Sequence, residues 1–158
     1  MCLFSKYYVI YLVKIENICT FVSNYTRSYK LFMIQTKLKG MGVALITPFK
    51  EDDSVDYDSL VRLVDFQIQN GTDFLCVLGT TAETPTLTKE EKDKIKQVVI
   101  ERVNGRIPIL LGIGSNCTRT VVETLKNDDF TGVDAVLVTV PYYNKPSQEG
   151  IYQHYKAI

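Results

Sequence analysis

The sequence predicts an α/β chain of repeated strand–helix units, the first four of a (β/α)8 TIM barrel. Three observations predict it. Candidate strand tips fall at Pro48, Gly79, Gly112 and Pro141, spaced 31, 33 and 29 residues apart. A strand–helix period of about 30 residues means parallel strands. Polar or conformationally special residues stand at every tip: Thr47, Thr80 with Thr81, Asn116, and Tyr142 with Tyr143. A doubly wound open sheet would share the period, but no GxGxxG follows the first strand. Gly112-Ile113-Gly114 repeats only its first two glycines, after the third. Chemistry spread over all the strand-to-helix loops is the barrel pattern.

Residues 1–38 stand apart. They are rich in Tyr, Phe, Ile, Lys and Asn and hold no Gly or Pro. The apolar run from Tyr7 to Val13 is short for a signal peptide, and no clear small-residue cleavage site follows it. This stretch reads as an extension outside the fold, non-native or disordered, with Met33 as the natural start. Residues 39–158 read as the N-terminal half of the barrel domain, stopping inside its fourth helix.

From Gly40 the pattern is regular. Gly42 to Thr47 is a short apolar strand stopped by Pro48. Asp56 or Asp58 caps a helix whose stripe is Leu60, Val61, Leu63, Val64 and Ile68, and Asn70-Gly71 ends it. Asp73 to Leu78 is a buried strand. Ile95, Val98, Val99 and Val103 form the apolar face of the second helix, closed by Asn104-Gly105. Ile107 to Gly114 is the third strand and Thr118 to about Phe130 the third helix. Asp134 to Val140 is the fourth strand. Ser147 opens the fourth helix, with Glu149 in its first turn. A half-barrel of this kind leaves edges near Val43 and Val138 unpaired and its inward side chains wet, so the isolated piece is expected to fold poorly or self-associate.

The centre of the chain is Gly79 to Thr88, GTTAETPTLT. Thr80 and Thr81 place two hydroxyls in a strand-to-helix turn. A helix N-terminus there would offer unpaired N–H groups and a positive dipole end to a carboxylate or phosphate. Hydroxyls both donate and accept, so the pair can also pass protons. Thr88 with Glu91 matches a capping box, which explains Thr88 but neither Thr80 nor Thr81.

Composition excludes several classes. The chain has 158 residues, with 18 Lys plus Arg balancing 18 Asp plus Glu. Zero net charge removes the electrostatic case for nucleic acid or an anionic membrane as partner. No apolar run can span a bilayer. Cys2, Cys19, Cys76 and Cys117 have no ligand-like spacing, so no metal site is expected, and a reduced, cytoplasmic chain is the simplest reading. Cys76 reads as a small core residue. His154 sits in a helix, where a surface or interface role outranks metal binding.

GVALITPF, GTTAETPTLT, GRIPILLGIGSN and VTVPYYNKPSQEGIYQHYKAI resemble the dihydrodipicolinate synthase family of pyruvate-dependent class I aldolases, from about Gly40 to Ile158. The resemblance implies a (β/α)8 barrel lyase of lysine (diaminopimelate) biosynthesis, without a cofactor and usually a homotetramer. It implies condensation of pyruvate with L-aspartate 4-semialdehyde through a Schiff-base enamine. Thr80 then matches a proton-relay threonine, and Tyr143 the relay tyrosine that reaches a neighbour's site. Thr81 matches the residue that binds the pyruvate carboxylate. Thr84, Pro85, Asn116 and Tyr142 match positions lining the feedback site for lysine. There, two histidines of regulated relatives are replaced by Lys89 and Lys92, and a glutamate by Thr120. The family's Schiff-base lysine, second relay tyrosine and substrate arginine are expected beyond Ile158, and Lys145 is no substitute. The rival readings are a sibling aldolase acting on 2-keto-3-deoxy sugar acids or sialic acid, and a half-barrel that only associates with a partner.

Overall fold

The computed structural model describes residues 3–5, 8–13 and 37–158. Met33 and the other residues of 1–36 outside those first two segments lie beyond them. The strands are β1 (Leu3–Ser5), β2 (Tyr8–Val13), β3 (Gly42–Ala44), β4 (Phe74–Val77), β5 (Ile109–Gly112) and β6 (Ala135–Val138). The helices are α1 (Tyr57–Gln69), α2 (Lys89–Val103), α3 (Thr118–Asn127) and α4 (Gln148–Ala157). One sheet orders the strands β1-β2-β6-β5-β4-β3. The four strands β3 to β6 run parallel, each beside its neighbour in sequence. This is the partial (β/α)8 barrel the period predicts.

The outer edge of β6 departs from expectation. Tyr11 pairs antiparallel with Val138, and Val13 with Val136, so β2 covers the edge expected to stand open. The edge at β3 is the sheet's end.

Strand alternation divides the core into two faces. Leu75 and Val77, Ile109 and Leu111, and Val136 and Val138 face the helices, where they meet Leu60, Val64, Ile95, Val99, Val103 and Val121. Cys76, Leu110 and Ala135 form a smaller cluster on the opposite face, with Phe74, Leu137 and Leu38 packed against it. That face was expected wet, yet these three are buried. Burial pushes the Cys76 thiol up to about 11, so it is a neutral core group.

Capping chemistry sets the helix limits. Asp56 accepts from Ser59 N at 3.0 Å and from the Ser59 hydroxyl, which holds its carboxyl below the usual range. Thr88 and Glu91 form the full capping box on α2. Asn104 closes α2 in the left-handed region at φ 45°. Ser147 caps α4 by accepting from Gly150 N at 3.1 Å. Arg102 grips Asp65 with two donors, joining α2 to α1.

His154 corrects the sequence reading. It is 2% exposed, not a surface group. Its Nδ1 lies 2.8 Å from Thr118 Oγ1, linking α4 to α3. The spacing Ile151, His154, Tyr155, Ile158 puts it on the buried stripe of α4, a signal present in the sequence. Among the described residues no helix is long and apolar enough to cross a membrane, and no cluster could hold a metal ion.

Candidate functional site

The tips of β3 to β6 gather the polar residues at the C-terminal end of the parallel sheet. Beyond β4 the chain makes two short 310 turns, Thr80–Ala82 and Thr84–Thr86, before α2 begins. The helix N-terminus considered for the Thr80–Thr81 turn is therefore a 310 turn, while the helix from Lys89 begins where the sequence places it. The α-helical N-terminus belongs to Thr88, eight residues on from Thr80. Glu83 in the left-handed region and Pro85 in the second turn break any longer helix here. A 310 turn still leaves its opening N–H groups without partners inside it. Thr80 and Thr81 are exposed at the rim, whereas Ala82, the last residue of the first turn, is buried.

Backbone geometry around this turn is demanding. Leu78 and Glu83 both hold φ 54°, one on each side of it. For residues with bulky side chains such conformations cost roughly 1–3 kcal/mol and persist only when neighbours enforce them. Leu78 is buried, and its carbonyl sits where a Cβ on Gly112 would lie, 2.2 Å away. Gly112 is therefore the residue that lets β5 close on β4. The hydroxyl of Thr47, itself buried, donates to Ala82 O at 2.8 Å.

The β6 tip carries the tyrosines. Tyr155 on α4 donates its hydroxyl to Val138 O at 3.1 Å, anchoring the strand end. Tyr143 follows at φ 77° and is 94% exposed; Tyr142 is 47% exposed. The two side chains separate: Tyr142 lines a cavity and Tyr143 stands in solvent.

That cavity has a volume of about 360 Å³ and lies between the β4, β5 and β6 tips and α2. Thr84, Pro85 and Tyr142 come together in its wall, with Lys89, Lys92 and Thr120. Thr80, Thr81 and Tyr143 are not in the wall; Asn116 is exposed in the neighbouring loop. Sequence reasoning missed Lys96, Asp93 and Asp128, which also line it. Lys89, Lys92 and Lys96 recur at helical spacing, a signal that was available. Asp93 and Asp128 hold Lys89 in its charged form, with Asp93 Oδ2 at 2.8 Å. A second hollow, bounded by Lys37, Pro108 and Asp134, lies at the opposite ends of the strands, where barrel residues serve stability.

Four parallel βα units with polar groups collected on one rim define the barrel class in which strand tips carry the chemistry. Residues 37–158 match the Dihydrodipicolinate synthetase family, and the chain belongs to it. The chain is 90% identical over 126 residues to the 4-hydroxy-tetrahydrodipicolinate synthase of Phocaeicola vulgatus, covering 80% of itself and 42% of that protein. It superposes on the Thermotoga maritima dihydrodipicolinate synthase with a TM-score of 0.71 at 45% identity, covering 76% of itself and 40% of that chain. The lysine-bound enzyme from Cyanidioschyzon merolae gives 0.68 at 40% identity, covering 75% and 41%. The chain thus spans about 42% of the length of the curated relatives it matches.

Proposed function

We propose that this chain supplies the first four βα units of a 4-hydroxy-tetrahydrodipicolinate synthase. The reaction is the condensation of pyruvate with L-aspartate 4-semialdehyde through a Schiff-base enamine. The observation that carries the reading is the Thr80–Thr81 turn, with both residues exposed on the rim and its backbone held from below. In this assignment the Thr81 hydroxyl and the turn's N–H groups take the pyruvate carboxylate. Thr80 passes protons between the reacting carbon and Tyr143. The 94% exposure of Tyr143 supports a relay group that completes a neighbouring subunit's site, within a homotetramer. Residues 39–158 are then the catalytic half-domain and residues 1–38 an extension to it.

The Schiff-base lysine is assigned to the remaining barrel units. Among the described residues no lysine is buried. An imine needs a neutral amine, and burial is one of the devices that provide it. The test incubates the chain with pyruvate and borohydride, alone and with the remaining barrel units. A single stoichiometric adduct only in the completed barrel, with turnover of both substrates, is the expected result. An adduct on one lysine of this chain alone would overturn the assignment.

A further inference from the structure

Thr47 occupies an unusual position for a loop hydroxyl. It is 5% exposed, just past the tip of β3, and its Oγ1 donates to Ala82 O at 2.8 Å across 35 positions of sequence. Ala82 follows Thr80 and Thr81 directly and is 2% exposed. Its N–H closes the turn on Gly79 O at 3.1 Å, and Glu83 N closes on Thr80 O at 3.1 Å. The local bonds therefore define the turn's shape but not its place on the sheet. Two contacts among the described residues tie it there. At the entrance the Leu78 carbonyl rests against Gly112. At the exit Thr47 holds Ala82. Between them the backbone enters and leaves through left-handed conformations at Leu78 and Glu83 that it would abandon if released.

We infer that Thr47 is a positioning residue, holding the Thr80–Thr81 turn at the height where it meets the substrate carboxylate. A hydroxyl suits the task because the Ala82 carbonyl is buried with it and needs a donor. Valine, of the same shape, would fill the space and leave that carbonyl unpaired. The turn would then shift toward water to recover a partner, and a displacement of about 1 Å in a substrate-holding group can cost about a hundredfold in rate. The inference rests on the reading of pyruvate binding at this turn.

The experiment compares Thr47→Val and Thr47→Ser in the complete enzyme. Thr47→Val is expected to lower kcat/KM for pyruvate about tenfold to a hundredfold while leaving KM for the aldehyde near its parent value. Thr47→Ser, which keeps the donor, is expected to restore most of the loss. Should the valine variant not fold, Thr47→Ala, which only removes atoms, takes its place. Amide hydrogen exchange at Ala82 and Glu83 reads the turn directly and is expected to quicken in the variant lacking the hydroxyl. An unchanged kcat/KM for pyruvate in an active parent, or a serine variant as poor as valine, overturns the inference. A parent that condenses neither substrate sinks the functional reading instead. In that case unchanged exchange at Ala82 and Glu83 still overturns the holding role, and quickened exchange supports it.

Discussion

The carbonyl of Leu78 and the Cα of Gly112 are in such close approach that no side chain fits between them: a Cβ there would lie 2.2 Å from the oxygen. Leu78 directly follows β4 and Gly112 ends β5, so this contact fixes how tightly the two strand tips close. Gly112→Ala is expected to push Leu78 and the following turn away, at a cost of about 1–3 kcal/mol. Denaturant unfolding measures the cost. Full stability in the alanine variant would contradict the contact.

Thr88→Ala removes the side-chain half of the box that caps α2. The Glu91 N–H loses its acceptor at 3.2 Å. The expected loss is about 1 kcal/mol, within the range seen for N-cap deletions. A shift in unfolding midpoint, set beside that of Thr88→Ser, checks it; serine retains the acceptor and is expected to stay near the parent.

His154 gives the fold a pH dependence whose sign follows from its surroundings. Burial among apolar groups lowers its pKa below the ordinary 6.5, partly countered by the Thr139 backbone. The unfolded chain therefore takes up a proton at a pH where the folded one does not. The associated stability is complete above about pH 6.5 and declines as pH falls through the lower folded value. His154→Gln is expected to flatten that part of the stability–pH curve. Parallel curves for parent and variant between neutral and mildly acid pH would refute it.

In the completed enzyme, Thr80→Val and Tyr143→Phe each remove a hydroxyl and little else. If both pass protons, turnover is expected to fall about 10²–10⁴-fold, with pyruvate binding much less affected. Steady-state kinetics with both substrates decides the matter. Unchanged turnover in either variant would show that hydroxyl to be dispensable.

Lysine is expected to inhibit the complete enzyme weakly. The cavity wall holds Lys89, Lys92 and Lys96 against Asp93 and Asp128, and Thr120 has no charge to offer an incoming ammonium. Like charges at close range oppose a cationic ligand. Lys92→Glu reverses one charge and is expected to increase sensitivity. Inhibition at low lysine by the parent, as in regulated relatives, would rule this out.

The elements were legible where local chemistry is periodic or has a marker. The Thr88–Glu91 box and the valine stripe of α2 stand as read, the choice between Asp56 and Asp58 falls to Asp56, and the fourth helix opens at Ser147 as expected. Each depends on residues within one or two turns of one another. The path from Gly79 to Thr88 was not legible. TTAETPT contains a proline and three-residue turns but no repeating face, and nothing local announces that Leu78 and Glu83 take positive φ. Tyr143 at φ 77° is hidden for the same reason, because such angles ordinarily point to glycine. The antiparallel β2 on β6 needed a partner more than a hundred residues away. Of the group Thr84, Pro85, Asn116 and Tyr142 taken from the resemblance, three share the cavity wall and Asn116 does not. The Thr47–Ala82 bond was not readable, since it joins a side chain to a backbone oxygen and leaves no compositional trace.

The sequential order of β3 to β6 has a consequence for synthesis. Gly42 pairs with Phe74, Leu75 with Ile109 and Leu110 with Ala135. Each new strand finds its partner in the one made just before it, after about 30 residues, so loop-closure entropy stays modest at every step. The order in which the ribosome delivers the strands is the order in which the sheet can grow. Thr47 leaves the tunnel well before Ala82, and the hydroxyl is therefore already on the growing edge when the turn it secures arrives.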